Sequence, residues 1–249
     1  KNYQWRRFSS SLPAHRQTPG MRPSAGRKKS GKGPKKYIWP AALDFFARVE
    51  YTAHIVTAFQ RTVKLDEEEP FMRLFDTHAH YDSGAFNADR LEVLASMPGQ
   101  GVELILNPGC DLTSSKTAVE LAKRFPFVYA AVGVHPSDCE GFSQDTVDGL
   151  RALAAHPKVR AVGEIGLDYY WKDNPPHDFQ KEVFHAQMEL AEELGLPVIV
   201  HDREAHRDCL EAVKAHPNIT GVYHCYSGSL EDAKTLVKLG WTLSFTGVL

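Results

Sequence analysis

From residue 73 the chain alternates two kinds of segment. Short apolar runs recur as "RLFDTH", "VELILN" (102–107), "FVYAAVG" (127–133), "VRAVGE" (159–164), "LPVIVH" (196–201), "TGVYHC" (220–225) and "WTLSF" (241–245). Their length and content read as strands. The segments between them carry helical spacing. "DLTSSKTAVELAKRF" has Asp111 or Thr113 as a cap and keeps Leu112, Val119, Leu121 and Ala122 apolar. "DFQKEVFHAQMELAEELG" places Phe179, Val183, Phe184, Met188, Leu190 and Leu194 near a 3.6-residue period and ends at Gly195. "SLEDAKTLVKLG" begins at Ser229 as cap and ends at Gly240.

Strand–helix alternation implies parallel strands joined by right-handed crossovers. Seven strands over about 175 residues predict an α/β fold of the TIM-type β/α barrel, with an open doubly wound sheet as the alternative. No G-x-G-x-x-G follows the first strand, which weakens the dinucleotide-binding version. A barrel needs an eighth strand, and Leu249 comes just after the seventh. The expectation is a barrel truncated before strand 8.

Composition adds little to the barrel but separates it from what precedes it. Hydrophobic residues make up 43% and charged residues 24% of 249 positions, and no run of eighteen apolar residues is present, so no membrane-spanning helix is expected. Cys110, Cys139, Cys209 and Cys225 are widely spaced and form no C-x-x-C pair, which fits reduced thiols and a cytoplasmic location. Residues 1–36 contain eleven Lys or Arg and no Asp or Glu, leaving 18 basic and 31 acidic residues in the remainder. This stretch, with "GRKKSGKGPKK", is expected to be a disordered basic tail, able to hold phosphates non-specifically and similar to a transit peptide in composition. Met72 would make a natural start for the domain behind it. Residues 37–71 read as a possible helix and linker, with the amphipathic stretch at 41–63, and residues 72–249 as the barrel, incomplete at its C-terminus.

In a β/α barrel, chemistry sits at the carboxyl ends of the strands. In "FDTHAHYD", His78 and His80 are flanked by Asp76 and Asp82; in a strand, positions i and i+2 face the same way and could hold one metal ion. Strand 3 runs into His135 of "GVHP". Strand 4 ends in Glu164, strand 5 in His201 and strand 6 in His224. Isolated, each has an ordinary structural reading; together they concentrate imidazole where a barrel performs its chemistry. His54, His156, His177, His185, His206 and His216 fall elsewhere and read as surface or packing residues. Imidazoles with a carboxylate suit Zn²⁺, Mn²⁺, Co²⁺ or Fe, whereas Mg²⁺ prefers mainly oxygen. Two ions about 4 Å apart need a bridging carboxylate. Glu164 is the candidate bridge, with His78 and His80 on one ion and His201 and His224 on the other.

"FDTHAHYD", "GVHP", "VGEIGLDYYW", "PVIVHDREAH", "HCYSGS" and "FTG", in this order and spacing, resemble the TatD-related deoxyribonucleases, which belong to the amidohydrolase-like metal-dependent hydrolases. The likeness spans about residues 72–249. It implies a β/α barrel with two divalent ions (Mg²⁺, Mn²⁺ or Zn²⁺) and a phosphodiesterase activity by metal-activated water, often 3′-to-5′ on DNA. By motif, His78 and His80 match the first-strand ligands, Glu164 the shared carboxylate, and His201 and His224 the ligands of the second ion. His135 matches a histidine beside the substrate phosphate. The family also carries an aspartate after strand 8, in an E-T-D type motif, and this sequence ends before that position. Asp138, Asp168 and Asp202 do not replace it by motif.

The residues themselves leave the substrate open. The barrel is acidic and lacks the broad basic face of a tight duplex binder, which favours single-stranded or frayed DNA ends. Arg203, Lys172 and the run Tyr169, Tyr170, Trp171 follow two ligand strands; the rings could stack unpaired bases or simply pack over the barrel mouth. Two further classes compete: an amide or ester hydrolase, for example one acting on aminoacyl-tRNA, and a non-catalytic binding module recruiting partners through the basic tail. A monomer is compatible with the sequence.

Overall fold

The computed structural model describes residues 74–246. The basic tail and the helix expected at 41–63 lie outside them. Seven parallel strands form one sheet in the order β1 to β7: β1 (Leu74–Asp76), β2 (Val102–Pro108), β3 (Val128–Val132), β4 (Val159–Asp168), β5 (Val198–Arg203), β6 (Gly221–His224) and β7 (Thr242–Leu243). Six α-helices connect them: α1 (Arg90–Ser96), α2 (Leu112–Arg124), α3 (Gln144–Ala154), α4 (His177–Leu194), α5 (His206–Ala215) and α6 (Leu230–Lys238). Sequential strand order with a helix in each crossover is the β/α-barrel arrangement.

The helices form where their ends are specified. Asp111 caps α2, accepting from the Ser114 amide at 2.6 Å while the Ser114 hydroxyl answers the Asp111 amide. Ser229 caps α6 through the Asp232 amide. Gly195 takes φ +63° after α4, the left-handed stop that glycine adopts without strain. Alternation along the strands sorts side chains into two layers. Phe75, Leu106, Tyr129, Ala131, Ala161, Ile199 and Val222, drawn from β1 through β6, pack with one another inside the curl of the sheet. Residues of opposite parity, such as Val132, Val162, Ile165 and Val200, meet the helices.

Two expectations require correction. β1 stops at Asp76, so His78 and His80 sit in the loop beyond the strand. The loop is held by the Arg90 guanidinium, which donates to the carbonyls of Tyr81, Asp82 and Ser83. β4 does not end at Glu164 but continues to Asp168. Its register slips between Val162 and Ile165, around the cis Gly163–Glu164 peptide. The slip changes parity: Val162 and Ile165 both pack towards the helices, and Glu164, Gly166 and Asp168 follow one another on the inner face.

Candidate metal centre

Strand parity delivers two of the ligands directly. Ile199 and Val222 face the interior, so His201 and His224, two residues further along β5 and β6, face it too, and they are register partners. Glu164 comes from β4 and is 4% exposed. Its two oxygens divide the site. Oε2 lies 3.2 Å from His78 Nε2 and 3.5 Å from His80 Nε2. Oε1 lies 3.0 Å from His201 Nδ1. The Nε2 atoms of His78 and His80 are themselves 3.0 Å apart. The loop therefore achieves the convergence that strand spacing was expected to provide.

The donor atoms form two overlapping groups, His78–His80–Glu164 and His135–Glu164–His201, each within 4.8 Å, with Glu164 common to both. His224, the register partner of His201, also stacks its ring on His78 at 3.4 Å between centroids. His135 lies edge-on to His201 at 4.3 Å. Its Nδ1 accepts from the Ser137 amide at 3.1 Å, so in the neutral ring Nε2 carries the proton. A protonated nitrogen is a donor to an anion, not a metal ligand.

The chemistry of the donor set fits a divalent cation. Three imidazoles converge on one buried carboxylate, and His78 Nδ1 is buried with no hydrogen-bond partner among the described residues. Burial alone would raise Glu164, yet the charge of His78 and the bonds from His201, His78 and His80 hold it well below the usual carboxylate range. Burial works against protonation of His201, but Asp168 and Glu164 at its two nitrogens bring it up to about 9. His135 and His224 are pushed down to about 3, chiefly by burial and then by the neighbouring imidazoles. The buried carboxylate thus favours positive charge beside it, which a bound metal ion would supply.

The geometry agrees with what comparison finds. The family model for TatD related DNase matches residues 75–249. The chain belongs to that family. It is 40% identical over 176 residues to a Bacillus subtilis protein named as the uncharacterized metal-dependent hydrolase YabD, covering 70% of this chain and 69% of that one. It is 34% identical over 176 residues to the 3'-5' ssDNA/RNA exonuclease TatD of Salmonella typhimurium, covering 70% and 67%. The crystal structure of the TatD homolog YjjV from Escherichia coli superposes with a TM-score of 0.64 at 34% identity, covering 69% of this chain and 67% of that one. The protein is therefore a metal-dependent hydrolase of TatD type with a β/α-barrel fold.

Around the TatD-type centre lie residues that the motifs did not assign. Asp168 is 2% exposed, and its Oδ2 lies 3.1 Å from His201 Nε2, so His201 is gripped between two carboxylates on the same strand. The signal was present in "GEIGLD", where Glu164, Gly166 and Asp168 alternate with Ile165 and Leu167. Gly166 is the register partner of His201, and a Cβ there would stand 2.0 Å from the His201 carbonyl oxygen. Asp82 Oδ1 lies 3.7 Å from His80 Nδ1 and accepts from Asn107 Nδ2 at 2.7 Å. Of the expected substrate contacts, Tyr169 is directed elsewhere: its hydroxyl donates to Asp208 at 2.7 Å and its ring stacks on His177. The Arg203 guanidinium lies 4.0 Å over the Tyr170 ring. Asp202 pairs with His206 at 2.9 Å. Among the described residues no helix is long and apolar enough to cross a membrane, and all four cysteines are free thiols.

Proposed function

We propose that this TatD-family hydrolase uses two divalent ions, Mg²⁺, Mn²⁺ or Zn²⁺, to remove nucleotides from the 3′ end of single-stranded or frayed DNA. One observation carries the two-ion reading: the oxygens of buried Glu164 face different imidazole sets, Oε2 towards His78 and His80 and Oε1 towards His201. His78, His80 and Glu164 would hold one ion, and Glu164, His201 and His224 the other. When bound, such ions polarise a phosphoryl oxygen and lower the pKa of water.

The chain's own residues do the rest. Glu164 stays ionised and fixes the spacing of the two ligand sets. Asp168 orients the His201 ring from behind. His135 is kept neutral by burial, and its Nε2–H is available to a phosphate oxygen on which negative charge grows. Arg203, at the end of β5, would offer a cationic contact to the strand, and Tyr169, held by its hydroxyl on Asp208, would support the segment that follows β4. The name of the Salmonella relative supports the polarity and the single-stranded substrate. The free thiols fit a cytoplasmic enzyme.

The test is incubation with 3′-labelled single-stranded DNA and Mg²⁺, Mn²⁺ or Zn²⁺, with an EDTA control. Metal-dependent release of labelled mononucleotide is the expected result. No release with any metal, alongside cleavage of an aminoacyl ester, would overturn the nuclease reading in favour of carbonyl hydrolysis.

A further inference from the structure

We propose that Tyr170 and Trp171, backed by Arg203, form a stacking platform for the base of a terminal nucleotide, and that this platform selects unpaired ends. The inference rests on the nucleic-acid reading above. Two large aromatic rings follow β4 directly and remain 44% and 48% exposed. Their centroids are 4.7 Å apart at an interplanar angle of 86°. Leaving this much ring surface in water is unfavourable for a side chain whose task is packing, and it is where a ligand gains most.

The pair is charged as well as exposed. The Arg203 guanidinium lies 4.0 Å over Tyr170 and 5.4 Å over Trp171, which places a cation where an anionic strand would pass. The pair is also fixed in position. Asp168 Oδ1 accepts from the Tyr170 amide at 3.0 Å and the Trp171 amide at 3.4 Å. Asn174 closes the turn, its amide donating to the Trp171 carbonyl and its side chain to the Asp168 carbonyl. The other oxygen of the same carboxylate holds His201. One aspartate therefore sets the distance between the platform and the metal centre. A base inside a duplex has both faces covered by its neighbours, whereas an unpaired terminal base can turn onto a ring without a sequence preference.

Steady-state kinetics on two single-stranded oligonucleotides test this with the metal-saturated protein. One is unmodified, and the other carries abasic tetrahydrofuran units in place of its last two 3′ nucleotides. Trp171→Ala is expected to raise KM roughly 10-fold to 100-fold on the unmodified strand, since stacking of each base contributes on that scale, with kcat little changed. KM on the abasic strand should be unaffected, and Trp171→Phe should recover most of the loss. Equal loss on both strands, or no loss on either, overturns the platform while the nuclease reading stands. Failure of the wild-type protein to cleave either strand overturns the nuclease reading, and the platform with it.

Discussion

Asp82 shows how a single side chain outside the ligand set governs it. Its Oδ1 lies 3.7 Å from His80 Nδ1, the nitrogen that faces away from Glu164. Asn107, fully buried on β2, fixes the carboxylate from the other side: Asn107 Nδ2 donates to Oδ1 at 2.7 Å, and the Asp82 amide donates to Asn107 Oδ1 at 3.2 Å. Burial disfavours a charged His80, but Asp82, Cys110 and Glu164 together raise it well above its ordinary value. Partners of this kind set ring orientation and ligand basicity, and their removal typically lowers metal affinity by about 10- to 100-fold. Asp82→Ala is expected to weaken Mn²⁺ binding on that scale in calorimetric titration. The fold should persist, because Asn107 keeps a bond to the Pro108 carbonyl. Unchanged affinity would show that the Arg90-bound loop alone orients His80.

At the scale of elements, α4 is the brace of the site. Gln180 and Gln187, seven residues apart and both buried, project from one face of the helix. Gln180 binds the Asp168 amide and carbonyl, and Gln187 the Val134 amide at 2.7 Å and carbonyl at 3.0 Å. Each glutamine stands in for a neighbouring strand at the point where the backbone leaves the sheet, next to Asp168 in one case and His135 in the other. Gln187→Leu orphans two buried backbone groups, each costing about 1–3 kcal/mol, so urea unfolding should show about 2–6 kcal/mol lost. A loss below about 1 kcal/mol would mean that water reaches Val134. Such braces explain what could be read in advance. Parallel strands are apolar on both faces, so the seven runs stood out, and helices α2, α4 and α6 declared themselves by period and cap. The end of β4 did not: its parity changes where its register against β5 shifts, between Val162 and Ile165, and a chain read with constant alternation stops at Glu164 and passes over Asp168. The H-x-H pair was found for an incomplete reason, since a loop pinned by Arg90, not strand alternation, brings the rings together.

Across the whole molecule, the centre gathers side chains from strands that are far apart in sequence. His78 and His80 follow β1, Glu164 lies on β4, His201 on β5 and His224 on β6. The strand ends are held by their sheet partners, but the carboxylate and imidazoles meet in a pocket whose balance depends on charge: Glu164 is held low by His78, His201 and His80, and it helps to raise His80 and His201 in turn. A cation bound there joins the first strand to the sixth and stabilises only the folded state. With free Mn²⁺ at about 100 times its dissociation constant, linkage adds about 2.7 kcal/mol, which for a domain of this size raises Tm by roughly 5–10 °C. The measurement is thermal unfolding with Mn²⁺ and after EDTA. In Glu164→Gln the shared carboxylate becomes a neutral amide with one oxygen, the two ligand sets lose the charged two-oxygen group between them, and the Mn²⁺-dependent shift should largely disappear. If the variant keeps the full shift, the ion sits on the histidines alone and Glu164 is not the bridge. If the wild-type protein shows no shift at saturating Mn²⁺, these residues do not hold that ion, whatever the activity assay reports. The comparison of two unfolding curves thus separates metal binding from catalysis, and it does so without knowledge of the substrate.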